Sequence, residues 1–129
     1  MRLHGFTVEA TDPVTSARAA TFMTAHGPVR TPVFMPVGTR ATVKGVPTPF
    51  LADMGAQVLL ANTYHLFLRP GSDIVRDAGG LHTFMNWDSA ILTDSGGFQI
   101  FSLADTLALT DDGVRFQSIV DGSYHHWTP

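Results

Sequence analysis

One stretch, Thr93-Asp94-Ser95-Gly96-Gly97-Phe98-Gln99, gathers the groups from which a site for a flat heterocycle can be built. Asp94 supplies a carboxylate acceptor, Ser95 a hydroxyl, and Phe98 a ring face on which a planar base can stack. The pair Gly96-Gly97 lets a ligand approach the main chain, because no Cβ stands in the way. A carboxylate in such a place can also exchange protons with a ring nitrogen. These are the parts needed to hold a purine-like base. The same residues also suit a tight turn in which Asp94 and Ser95 bond their own backbone, and the motif alone does not separate the two readings.

The elements around the motif decide where those groups point. Ile91-Leu92 runs into Asp94 as a short apolar strand that ends in the loop. Gln57 to Ala61 reads as another buried strand, with Asn62 at its end. Pro32 to Val37, apolar and bounded by proline and glycine, reads as the first of the three. Pro47-Thr48-Pro49 predicts a helix start, with Thr48 as cap and Pro49 in the first helical position. That helix covers Phe50 to Met54 and stops at Gly55. A second helix over Asp73 to Ala78 closes on Gly79-Gly80. Strand, helix, strand, helix, strand is the pattern of parallel βα units, in an open sheet or a barrel. Val37, Asn62 and Asp94 then fall at three successive strand ends.

Two flanking regions read differently. Phe6 to Glu9 and Ala19 to Met23 alternate in the strand period, separated by breakers at Asp12-Pro13 and His26-Gly27-Pro28, which predicts a small antiparallel sheet over residues 1–30. Thr106 to Val120 predicts a hairpin turning at Asp111-Asp112-Gly113. Thr128-Pro129 has the composition of a helix start, so residues 125–129 are expected to open a further helix. The resulting division is an N-terminal sheet (1–30), βα units (31–105), an inserted hairpin (106–124) and that helix start.

Bulk properties narrow the class. The 129 residues suit one domain, and 44% hydrophobic content is enough for a core. A net charge of -3 argues against a wholly basic nucleic-acid binder but leaves room for a local patch. With no cysteine there are no disulfides or thiolate metal sites. No apolar run approaches the roughly 20 residues of a membrane span, and the N-terminus lacks a signal-peptide core. A soluble cytoplasmic protein is expected. His125 and His126 are adjacent and point to opposite faces of a strand, and the other histidines show no paired ligand spacing, so no metal is expected. The basic residues are scattered. Arg40 and Lys44, near the first strand end, are the ones placed to approach RNA phosphates, although a solvated surface is the preferred reading for each.

Several blocks stand in a fixed order along the chain: Phe34-Met35-Pro36-Val37-Gly38-Thr39, Ala41-Thr42-Val43-Lys44-Gly45, Leu59-Leu60-Ala61-Asn62-Thr63-Tyr64-His65-Leu66, Leu68-Arg69-Pro70-Gly71, Gly79-Gly80-Leu81-His82, Phe84-Met85-Asn86-Trp87-Asp88 and the Asp94 motif. In this order and at these gaps the chain resembles the N-terminal part of the tRNA-guanine transglycosylases, most like the bacterial queuine tRNA-ribosyltransferases, from about Gly5 to the last residue. The resemblance implies the first part of a (β/α)8 barrel, which needs about 250 residues to close. On that ground the chain is expected to be a fragment.

The resemblance also implies roles. Asp94 would be a proton acceptor and base-binding residue. Ser95, Gly96 and Gly97 would line the base pocket, and Phe98 would stack on the purine. Asn62 would lie near the ribose, and Val37 and Leu60 would be apolar wall. The implied reaction exchanges guanine at the tRNA wobble position for a 7-deazaguanine. The nucleophilic aspartate and the zinc ligands, cysteines and a histidine, would lie beyond residue 129. The implied partners are the tRNA anticodon loop, the two bases and a second copy in a homodimer, with no cofactor in this stretch and no turnover by it alone. A different class, a non-catalytic RNA-binding or partner subunit of the same fold or a truncated inactive product, fits the same residues.

Overall fold

The computed structural model describes residues 5–103 and 107–128. Three antiparallel strands open the chain: β1 (Phe6–Thr11), β2 (Arg18–Thr24) and β3 (Gly27–Thr31), in the order β1-β2-β3. This is the expected N-terminal sheet. Its first turn is made by Asp12, whose Oδ1 accepts from Val14 N at 2.8 Å and Thr15 N at 2.7 Å. Those N–H bonds hold its carboxyl below the usual range, that of Thr15 most.

Pro32 to Val37 departs from expectation. It runs beside the next strand but forms a single parallel bridge, Val37 to Leu60, and not a strand. Pro32 and Pro36 have no N–H to give to a ladder. What remains are Leu60 N to Pro36 O at 3.0 Å, Gly38 N to Leu60 O at 2.7 Å and Asn62 N to Thr39 O at 3.3 Å.

Helix α1 (Thr48–Asp53) follows, one residue out from the expected capping. Pro47 is the N-cap, and its carbonyl takes Phe50 N at 3.0 Å. The Thr48 hydroxyl is thereby free to donate to Met85 O at 3.0 Å. Gly55, at φ +80°, ends the turn as predicted.

Strand β4 (Val58–Asn62), helices α2 (Thr63–Leu68), α3 (Ser72–Asp77) and α4 (Leu81–Met85), strand β5 (Ala90–Asp94) and helix α5 (Gly97–Leu103) complete the middle of the chain. β4 and β5 are parallel, in register from Val58 and Ala90 to Asn62 and Asp94. Side chains alternate across this pair. Leu59 and Ala61 face one side and pack with Leu51, Leu66, Met85 and Trp87. On the other side Val58 and Ala90 pack with Val29 of β3, so the N-terminal sheet covers the foot of the two strands. Leu60, Asn62, Leu92 and Asp94 follow on this second face at the two-residue period.

A third sheet holds β6 (Leu107–Thr110), β7 (Gly113–Gln117) and β8 (Tyr124–Trp127), all antiparallel. The Asp111-Asp112 turn joins the first two, as expected, although Thr106 lies outside the described residues. The helix start expected over 125–129 is corrected at 125–127, Pro129 lying outside the described residues: His125, His126 and Trp127 are strand, paired with Phe116, Arg115 and Val114. The cause is packing. Phe116, fully buried, has the Trp127 ring edge-on at 5.2 Å and sits with Tyr64 and Ile100, so β8 is held by a core that joins this sheet to α2 and α5. Among the described residues no helix is long and apolar enough to cross a membrane.

Candidate functional site

Asn62 and Asp94 are register partners on the last rung of the parallel pair. Parallel strands carry both side chains out at the same end and on the same face. Asn62 Nδ2 donates to Asp94 Oδ2 at 2.6 Å. Asp94 Oδ1 accepts from Thr63 N at 3.3 Å and Gly96 N at 3.0 Å. The Thr63 hydroxyl donates to the Asp94 main-chain carbonyl. The acid is thus gripped by side chain and backbone, from β4, the first turn of α2 and its own loop. A carboxylate has about four lone-pair directions. Three N–H donors leave room for another partner.

The amide of Asn62 is fixed in turn. Its Oδ1 accepts from His65 N at 3.0 Å, which makes Asn62 the N-cap of α2. One side chain therefore ends a strand, starts a helix and orients the acid. Below this rung the same face carries Leu60 and Leu92, with Val37 bridged to Leu60. Val37 and Leu92 are 53% and 44% exposed, so the apolar wall is open to a ligand or to further chain.

The loop after Asp94 divides its glycines. Gly96 is buried at φ +71°, and a Cβ there would lie 2.8 Å from both Cβ and N of Tyr64. Its lack of a side chain serves the seating of α2 against the loop. Gly97 is exposed and begins α5. Ser95 Oγ accepts from Gly97 N at 3.3 Å, and Gly96 N on Asp94 Oδ1 is the same kind of local bond. Turn and acid site coexist in one motif. Phe98 stands on the first turn of α5 at 75% exposure, which is not the setting of a core phenylalanine. The structure brings Asn62, Asp94 and Gly96 together, joins Val37 to Leu60, and leaves Ser95 and Phe98 at the open rim.

Two residues outside the expected set belong to this site. Thr63 holds Asp94 through both its N–H and its hydroxyl. His65, half-buried, has its pKa lowered by desolvation and then by Arg40, against a smaller opposing pull from Asp94. Arg40, His65 and Asp94 are therefore electrostatic neighbours. The available signal was Asn62 itself: an Asn directly before a helix is a capping residue, and capping makes Thr63 a neighbour of the strand end.

The implied zinc ligands find no counterpart here. The chain has no cysteine, and among the described residues no three His, Asp or Glu side chains gather around one point.

Parallel βα units with an acid and an amide at adjoining strand ends are the pattern of an α/β protein, with both groups at the C-terminal edge of the β4–β5 pair. The family profile described as queuine tRNA-ribosyltransferase matches residues 12–129, and the chain belongs to that family. It is similar to proteins named queuine tRNA-ribosyltransferase from Moorella thermoacetica (58% identical over 124 residues), Desulforudis audaxviator (57% over 124) and Koribacter versatilis (57% over 124). Each match covers 96% of this chain but 33%, 33% and 32% of the relative. The chain spans about a third of the length of the curated relatives it matches.

Proposed function

We propose that this chain is the base-pocket part of a tRNA-guanine transglycosylase, a pentosyltransferase of queuosine biosynthesis that replaces guanine at the anticodon wobble position with a 7-deazaguanine. The observation that carries this reading is the Asn62–Asp94 rung, with the acid anchored by Asn62, Thr63 and Gly96.

Cleavage of an N-glycosidic bond leaves an electron-poor ribose carbon. A carboxylate nucleophile traps it and divides one hard displacement into two easier ones, as in retaining glycoside hydrolysis. A second acid/base must protonate the departing guanine and take a proton from the incoming base. Asp94 has that second role. Phe98 stacks on the base, Ser95 and the Gly97 backbone edge the pocket, Leu60 and Val37 form its wall, and Asn62 meets the ribose side. The target guanine leaves the anticodon stack to reach them. The nucleophile comes from outside these 129 residues, within a completed (β/α)8 barrel that pairs as a homodimer. Substrate tRNA, guanine and the 7-deazaguanine are the partners.

The test uses two proteins: the 129-residue chain, and the same chain joined in frame to the remaining two thirds of the Moorella relative. Radiolabelled guanine exchange into cognate tRNA is expected for the joined protein and absent for the chain alone. Exchange by the chain alone, or none by a folded joined protein, would refute the assignment.

A further inference from the structure

At the opposite end of β5 from Asp94, two histidines lie ring on ring. His26, in the β2–β3 turn, and His82, in the first turn of α4, have centroids 3.6 Å apart and planes 11° from parallel. Each ring is also tied to the backbone just before β5. His26 Nδ1 lies 3.1 Å from Asp88 O, and His82 Nε2 lies 3.1 Å from Ser89 O. A carbonyl only accepts, so the tautomers are set: Nδ1–H on His26 and Nε2–H on His82. The second proton of each ring must go on the other nitrogen.

We propose that the stacked imidazoles of His26 and His82 form an acid-released latch that fastens the β2–β3 turn of the N-terminal sheet to the start of β5. Protonation keeps both donors to the carbonyls; what changes is charge. One imidazolium over a neutral ring is tolerated, but two place like charges face to face at a spacing where repulsion exceeds thermal energy even in water. His82 is half-buried, and its pKa is lowered by desolvation and then by His26, against smaller opposing effects of the Ser89 carbonyl and the Asp88 carboxylate. The charged groups acting on His82 are thus His26 and Asp88. Histidine is the side chain that titrates near neutrality. The latch is closed while at most one ring is charged and opens when both are. It secures the base of the strand whose other end carries Asp94, and it stands independently of what Asp94 does.

The experiment is a titration of the 15N-labelled chain between about pH 5 and pH 8, read by histidine ring 15N spectra and backbone amide exchange. At the upper end His26 is expected as the Nδ1–H tautomer and His82 as Nε2–H. The His82 midpoint is expected to rise in His26→Gln, which removes the like charge, and to fall in Asp88→Asn. Exchange protection in the β2–β3 turn is expected to drop with acid by roughly tenfold per pH unit for each proton taken up on opening. Both His26→Gln and His26→Phe, which keeps a ring face without the charge, are expected to abolish that drop. Opposite tautomers, a His82 midpoint indifferent to position 26, or protection that does not change with pH would overturn the proposal.

Discussion

β4 and β5 have the same length, run the same way and end on the same rung, yet one is interior and the other is not. Four of the five residues of β4 are buried, whereas Ala90 alone is buried in β5. Asn62 thus sits on a strand that the core cannot let move, while Asp94 sits on one that still has an open flank. The difference explains why the acid needs so many anchors. Its position is set by N–H groups of the buried strand end, the α2 start and Gly96, and not by packing of its own strand.

That contrast is broken most directly by paired truncations. Leu59→Ala in β4 is expected to cost about 2–5 kcal/mol, because Leu59 is 1% exposed and leaves a cavity. Leu92→Ala in β5, at 44% exposure, is expected to cost under about 1 kcal/mol. Urea melts of the two variants check both. Equal losses would mean that β5 is as deeply packed as β4.

The glycine pair sharpens the same point. Gly96→Ala combines a positive φ with a Cβ placed 2.8 Å from the Tyr64 backbone, and is expected to cost roughly 2–4 kcal/mol. Gly97→Ala, at the start of α5 with only the Ser95 hydroxyl at 3.4 Å from the added Cβ, is expected to leave stability unchanged or raise it by up to about 1 kcal/mol. Asn62→Ala removes the α2 cap and the Asp94 contact together. It is expected to cost about 1–2 kcal/mol in the same assay.

Much of this arrangement was legible in the residues. Breakers at Asp12-Pro13 and His26-Gly27 marked the first sheet, Gly55 and Gly79-Gly80 marked helix ends, and short apolar runs ending in Asn62 and Asp94 marked the parallel strands. The misses have local causes. Pro32 to Val37 has a strand's apolarity, but its prolines remove the donors a ladder needs. α2 and α5 were hidden because Asn62 and the glycine pair, read as strand-end and loop, also start helices. β8 was hidden because Thr128-Pro129 signals a helix locally, whereas Phe116 and Tyr64 hold Trp127 through contacts distant in sequence. The Asn62–Asp94 partnership was implied by two strand ends; Thr63 and His65 were not, since their roles depend on the turn that α2 makes.

Acid should dissect the molecule in two windows. His65 and His82 have pKa values held down by desolvation, so the unfolded chain binds more protons than the folded one just below the ordinary histidine value. Their contribution is complete above about pH 6.5 and is lost as pH falls from there through their folded pKa values. Asp121, lowered to about 2 chiefly by its hydrogen bond with Ser118 and then by Ser123, behaves as a carboxylate. Its contribution is complete above the ordinary carboxylate value and fades as pH falls towards about 2. This lower step is the smallest effect expected, because Asp121 is exposed. Melting temperature against pH is expected to show the upper step, and His82→Phe is expected to shrink it.

The most direct measurement is guanine exchange by the protein joined to the rest of the Moorella relative, with Asp94 replaced by Asn. That change keeps the shape and an oxygen to accept from Thr63 and Gly96, but sets an amide NH2 against the Asn62 NH2, so the Asn62 contact goes with the carboxylate. The expected result is a folded protein with a modestly lowered melting temperature and exchange reduced by about 10²–10⁴-fold. Exchange at the unsubstituted rate would contradict the role assigned to Asp94.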